Sequence, residues 1–106
     1  MNIFTEVHTH IAFAPDKMKK NNLFTTPRLF CDVYCFEPGQ EQPSHSHAGS
    51  DKVYYVIEGS GRICVGTEEQ HVSAGATVLA PAGLPHAVRN PGPERLTLLV
   101  IMAPRP

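Results

Sequence analysis

Turn-forming residues punctuate this chain so densely that long helices have nowhere to form. Ten prolines and eight glycines fall among 106 residues, and the longest apolar stretch between them runs only from Leu96 to Ala103. A chain cut this way builds short strands. Leu29 to Phe36 is rich in aromatic and β-branched residues and reads as a strand, Pro38-Gly39 turns, and residues 43 to 47 are extended. Val53 to Ile57 is the strongest strand signal. Arg62–Val65, Gln70–Ser73, Thr77–Ala80, Pro85–Arg89 and Leu96–Met102 follow, separated by Gly, Pro and Asn turns such as Pro81-Ala82-Gly83 and Asn90-Pro91-Gly92-Pro93. At least eight short strands at hairpin spacing predict an all-β domain closed into a barrel or two-sheet roll, which removes exposed edges. Such an interior holds side chains or one small ligand.

Residues 1–26 read as an N-terminal arm and residues 27–106 as the barrel. In the arm, Thr5 to Phe13 suits a short strand carrying His8-Thr9-His10, with no third ligand nearby. Pro15-Asp16 followed by Lys17, Lys19 and Lys20 suits one or two turns of helix, with proline at the first position and lysines towards the end. Asn21-Asn22 ends it. Ala103 to Pro106 is a tail that cannot extend a central strand.

Composition narrows the function classes. The chain is 42% hydrophobic and 18% charged, with a net charge of -1, so it carries no basic field for nucleic acid or a membrane surface. No apolar run reaches transmembrane length, and the N-terminus shows no basic segment leading into an apolar one, so no signal peptide is expected. Cys31, Cys35 and Cys64 are an odd number of thiols, which predicts reduced cysteines, packed as small hydrophobes in a cytoplasmic protein. Cys31 and Cys35 on one strand lie roughly 13 Å apart, too far to bridge.

Chemistry concentrates in Gly39–Gly59, centred on His45-Ser46-His47. Imidazoles at i and i+2 on an extended chain share a face, and neutral imidazole is the commonest biological metal ligand. His86 arrives on a separate strand and can face the pair across the barrel. At fixed spacings the chain reads Gly39, His45-x-His47, Gly59, then Gly75, Pro81-x-Gly83, His86 and Asn90. These two blocks resemble the signature motifs of the cupin superfamily, and the short spacer between them is similar to that of small single-domain microbial cupins. The resemblance implies a jelly-roll β-barrel, with at most the one short helix. It also implies one divalent ion of Fe, Mn, Zn, Ni, Co or Cu on His45, His47 and His86, with positions left open for ligand. The other reading is a polar barrel mouth lined by three histidines without metal. Asn90 is expected to cap its turn, and His71, among Glu68, Glu69 and Gln70, to be solvated.

One departure from the pattern matters. The fourth cupin ligand is usually a glutamate seven residues before the glycine, and that position here is Lys52. Three outcomes are open. Lys52 swings out to pair with Asp51 or Glu58, which avoids a desolvation cost and is the expected arrangement. It sits inside with a lowered pKa, as a base or amine nucleophile. Or a bulge turns Asp51 inward as the carboxylate ligand. Lys52 and Tyr54 are the candidate ligand-binding residues, Tyr54 also being readable as barrel core.

Three functions follow from the resemblance. The first is a small metallo-cupin binding a small organic ligand, with oxygenase- or isomerase-type activity. The second is a non-catalytic binding or sensing module, metal-free with Lys52 in the glutamate position. The third is a metal-free isomerase using Lys52, Tyr54 and a histidine. Small cupins commonly pair, so a homodimer through the arm (Phe4, Phe13, Phe24) and the Leu96–Met102 strand is expected.

Overall fold

The structure is a computed structural model and describes residues 2–106. Nine strands form two antiparallel sheets. They are β1 (Lys19–Thr25), β2 (Phe30–Phe36), β3 (Glu41–His45), β4 (Asp51–Glu58), β5 (Ser60–Val65), β6 (Glu68–Ser73), β7 (Thr77–Ala80), β8 (His86–Arg89) and β9 (Leu96–Ala103). The five-stranded sheet has the order β1-β2-β9-β4-β7 and the four-stranded sheet β3-β8-β5-β6. This is the expected all-β jelly roll.

Alternation builds the core. Along β4, Lys52, Tyr54 and Val56 are buried while Asp51, Val53 and Tyr55 are exposed, so one face of the strand is inside and the other outside. Tyr34, Phe36, Tyr54, Val56, Leu98 and Val100 from the larger sheet meet Ile63 and Val88 from the smaller one. Gly59 is required where β4 turns into β5. Its φ is +79°, and a Cβ there would stand 2.0 Å from the Arg95 carbonyl oxygen.

The arm departs from expectation. The Thr5–Phe13 strand is absent, and Val7–His10 instead forms one turn of 3-10 helix. The helix expected from Pro15 to Lys20 is also absent, because β1 begins at Lys19 and pairs with β2 from Lys19↔Cys35 to Thr25↔Phe30. Asn21 and Asn22 therefore lie inside a strand rather than ending a helix. Asn22 stays there because its amide donates to the Asp32 carboxylate at 2.7 Å, and pairing with β2 outweighs the weak helix preference of the lysines.

All three cysteines are free, with Cys35 buried and Cys31 and Cys64 only half-buried. Asn90 does more than cap its turn. Fully buried, its amide donates to the carbonyls of Phe36 and Glu94, and its side-chain oxygen accepts from the Gly92 N–H. Among the described residues, no helix is long and apolar enough to cross a membrane.

Candidate functional site

The β3–β8 pair builds the site. His45 lies opposite His86 in register, so His86 reaches the pair from the neighbouring strand of the same sheet, not from across the barrel. Pro43 interrupts β3, which it can do because β3 is a sheet edge. A register shift between Gln42 and His45 accompanies it. That irregularity turns both Gln42 and His45 towards one cavity although they are three residues apart. His47 follows in a loop held by the Pro81-Ala82-Gly83 turn. The Gly83 N–H donates to the His47 carbonyl at 2.8 Å, and the Ala82 N–H donates to Asp51 Oδ1 at 2.8 Å.

The three imidazoles converge. Ring centroids lie 4.3 Å apart for His45–His86, 5.2 Å for His45–His47 and 5.8 Å for His47–His86. One nitrogen of each lies within 4.8 Å of the others, a grouping that can hold a metal ion. Two tautomers are set by backbone. His45 Nδ1 faces the Pro43 carbonyl at 2.9 Å and His86 Nδ1 faces the Leu84 carbonyl at 3.0 Å. Each Nδ1 must donate, so each Nε2 presents a lone pair. His86 Nε2 is buried without a partner. All three rings are held neutral. Burial, then the Lys52 charge among other nearby groups, lowers the pKa of His45 and His47 and brings His86 down to about 4, against the opposing pull of the carbonyls on His45 and His86. Neutral, inward-facing lone pairs fit a divalent ion.

Lys52 comes from the opposite sheet and corrects the expected arrangement. It does not swing out to Asp51 or Glu58, and Asp51 is not turned inward. Lys52 is 1% exposed and pairs in regular register with Ala80 on one side and Met102 on the other. With a strand on each flank, its side chain has only the interior to enter. Its Nζ lies 3.2 Å from His45 Nε2 and stands over the rings of Tyr34 and Tyr54 at 5.8 and 5.5 Å. Aromatic faces and a nitrogen lone pair replace part of its lost hydration. Burial, helped by the charge of Lys20 and opposed by that of Asp32, lowers its pKa to about 8.

Tyr54 belongs to the core cluster, and its hydroxyl has no partner. Its ring centroid is 6.3 Å from that of His86. Sequence reasoning misses most of the cavity wall, including Lys20, Phe30, Tyr34, Gln42 and Met102. Tyr34 lies in the run Val33–Phe36, buried without alternation, so the sequence marks it as core but not as cavity wall. Lys20 carries no such signal, because its local sequence favours helix. The His8/His10 pair lies apart from the site, with His10 hydrogen-bonded to the Thr5 hydroxyl.

Comparison with known proteins agrees with this geometry. The sequence profile described as Cupin domain matches residues 32–102. The crystal structure of TT1209 from Thermus thermophilus superposes with a TM-score of 0.94 at 43% identity, covering 97% of this chain and 98% of that one. An uncharacterized protein of Streptomyces coelicolor is 35% identical over 72 residues, 68% of this chain and 67% of the relative. The 5-nitrosalicylic acid 1,2-dioxygenase of a Bradyrhizobium species is 34% identical over 76 residues, 72% of this chain but only 36% of that enzyme's length.

Proposed function

The chain belongs to the cupin family, and on that premise we propose that it is a small metal-binding cupin. A divalent ion of Fe, Mn, Zn, Ni, Co or Cu sits on Nε2 of His45 and His86 and a ring nitrogen of His47, supplying a Lewis-acidic centre with open positions for a small organic ligand. The observation that carries this reading is the orphaned, buried Nε2 of His86, aimed at two neighbouring imidazoles. A buried acceptor without a donor is costly, and a metal ion would satisfy it. Lys52 lines the ligand position, with Tyr54 behind it in the core. Oxygenase- or isomerase-type activity is the reading for turnover, and similarity to a dioxygenase over part of its length supports the first. Metal analysis of protein purified without a metal-affinity tag tests the site. About one equivalent of transition metal is expected, lost in His47→Ala. Absence of metal from both samples after reconstitution would overturn it.

One contact favours a second reading. Lys52 Nζ already occupies the lone pair of His45 Nε2. A non-catalytic, metal-free binding or sensing module would use the lysine where the metalloprotein uses the ion.

The protein acts as a homodimer in this proposal. On the outer face of the larger sheet, Cys31, Ile101, Val53 and Leu79 lie in one uncharged rung across four strands, and Leu99, Tyr55 and Thr77 continue the next. Phe4 of the arm is 85% exposed. Such a face suits burial against a second copy. The free thiols suit a cytoplasmic location.

A further inference from the structure

The cavity beside the histidines has an unusual charge balance. Its volume is 430 Å³, and its walls carry Lys20 at the rim, Lys52 at depth, and no acidic side chain. Lys20 and Lys52 each hold an ammonium over the Tyr34 ring, at 5.4 and 5.8 Å. Neither is in an ion pair, since the salt bridges among the described residues join Arg62 and Arg89 to Glu69 and Arg95 to Glu37. Asp32 acts on both lysines through its charge but makes no salt-bridge contact with either, and its carboxylate accepts from the Asn22 amide at 2.7 Å. A buried cation without a direct ion-pair partner is a standing cost, and two lysines against one distant carboxylate leave the cavity with an excess of positive charge.

The rest of the wall shapes what could neutralise it. Phe30, Met102 and Pro43 are apolar and ask for a carbon skeleton. No arginine fork and no helix N-terminus faces the cavity, so two features that favour phosphate are missing, and the apolar wall favours an anion carried on an organic body. Two point-charge donors and an apolar wall suit a carboxylate on an organic body.

We propose that the ligand is a small organic carboxylate, its anionic group held between Lys52 and Lys20 and its carbon skeleton against Phe30 and Met102. This deepens the metallo-cupin reading, on which it rests, by naming the ligand class at the same site. It also gives the Lys52–His45 contact a purpose. Drawn to a carboxylate, the Lys52 ammonium leaves His45 Nε2 and frees its lone pair. Carboxylate and metal ion then favour one another's binding, reciprocally.

Calorimetric titration of the whole chain, stripped of metal by a chelator, with benzoate, benzamide and inorganic phosphate tests this. Benzoate is expected to bind at least about tenfold more tightly than either benzamide or phosphate, and more weakly as salt is raised. Lys52→Met should weaken benzoate about tenfold or more, and Lys20→Met, at an exposed position that leaves folding untouched, about threefold. Equal binding of benzamide, tighter binding of phosphate, or unchanged affinity in both lysine variants would overturn the proposal. Parallel titration with Zn²⁺ separates it from the reading it rests on. Benzoate binding without any Zn²⁺ binding rejects the histidine site and keeps the carboxylate. Zn²⁺ binding that is lost in His47→Ala, with no benzoate binding in the wild type, rejects the carboxylate and keeps the histidine site.

Discussion

Lys52 Nζ and His45 Nε2 face each other at 3.2 Å across the gap between the two sheets. The imidazole, its Nδ1 committed to the Pro43 carbonyl, can only accept. A cation and a metal ion therefore compete for one lone pair, and the lysine is already in place.

Replacing the lysine should release both constraints. Lys52→Met keeps the volume and removes a charge that is 1% exposed. The metal-free variant should be more stable by on the order of 2 kcal/mol at neutral pH, a rise in Tm of roughly 10 °C. Removing a positive charge beside a dication should also tighten Zn²⁺ about tenfold or more. Thermal melts and metal titration check the two arms separately.

The same residues set the pH dependence of the stripped protein. Lys52 loses its proton near pH 8 in the fold, against 10.5 for an ordinary lysine. Between those values the unfolded chain binds more protons, so stability rises from pH 8 to 10.5. His86 resists protonation down to about 4 against an ordinary 6.5, so stability falls as pH drops through that window. Urea midpoints against pH should lose the alkaline rise in Lys52→Met and have a shallower acid fall in His86→Gln.

Asn90 ties three segments together from a position with no exposure. Asn90→Ala strands two carbonyls and one N–H and should cost about 3 kcal/mol. Asn90→Asp, although isosteric, should cost at least as much, because a carboxylate cannot donate to the Phe36 and Glu94 carbonyls. Chemical denaturation of both variants gives the comparison.

The outer rung centred on Ile101 and Val53 is the proposed contact between copies. Ile101→Lys puts a charge into it and should leave a folded monomer. Sedimentation at micromolar concentration should show a dimer for the wild type and a monomer for the variant. A monomeric wild type would reject the interface.

The barrel is legible in the sequence because its turns are chemically marked. Gly59 and Pro81-Ala82-Gly83 sit where the structure turns, and the period of two along β4 sets Lys52 and Tyr54 on one face and Val53 and Tyr55 on the other, without telling which face is inner. The histidine cluster is legible from spacing. The arm is not, since Pro15 to Lys20 carries a local helix signal and its pairing with β2 depends on residues far along the chain. The direction of Lys52 is hidden for a different reason. The cost of burying a lysine can be weighed from the sequence, but its compensations cannot. Two tyrosine faces and an imidazole lone pair are tertiary facts, invisible to spacing.

The regular register of β4 also has a mutational consequence. Lysine and glutamate codons differ at a single base, and Lys52 stands where a cupin of the usual pattern carries glutamate. Because Ala80 and Met102 fix that side chain inward from both flanks, one transition exchanges a buried cation for a buried anion without disturbing a backbone hydrogen bond. The barrel thus stands a single heritable step from a cavity of opposite charge on the same scaffold.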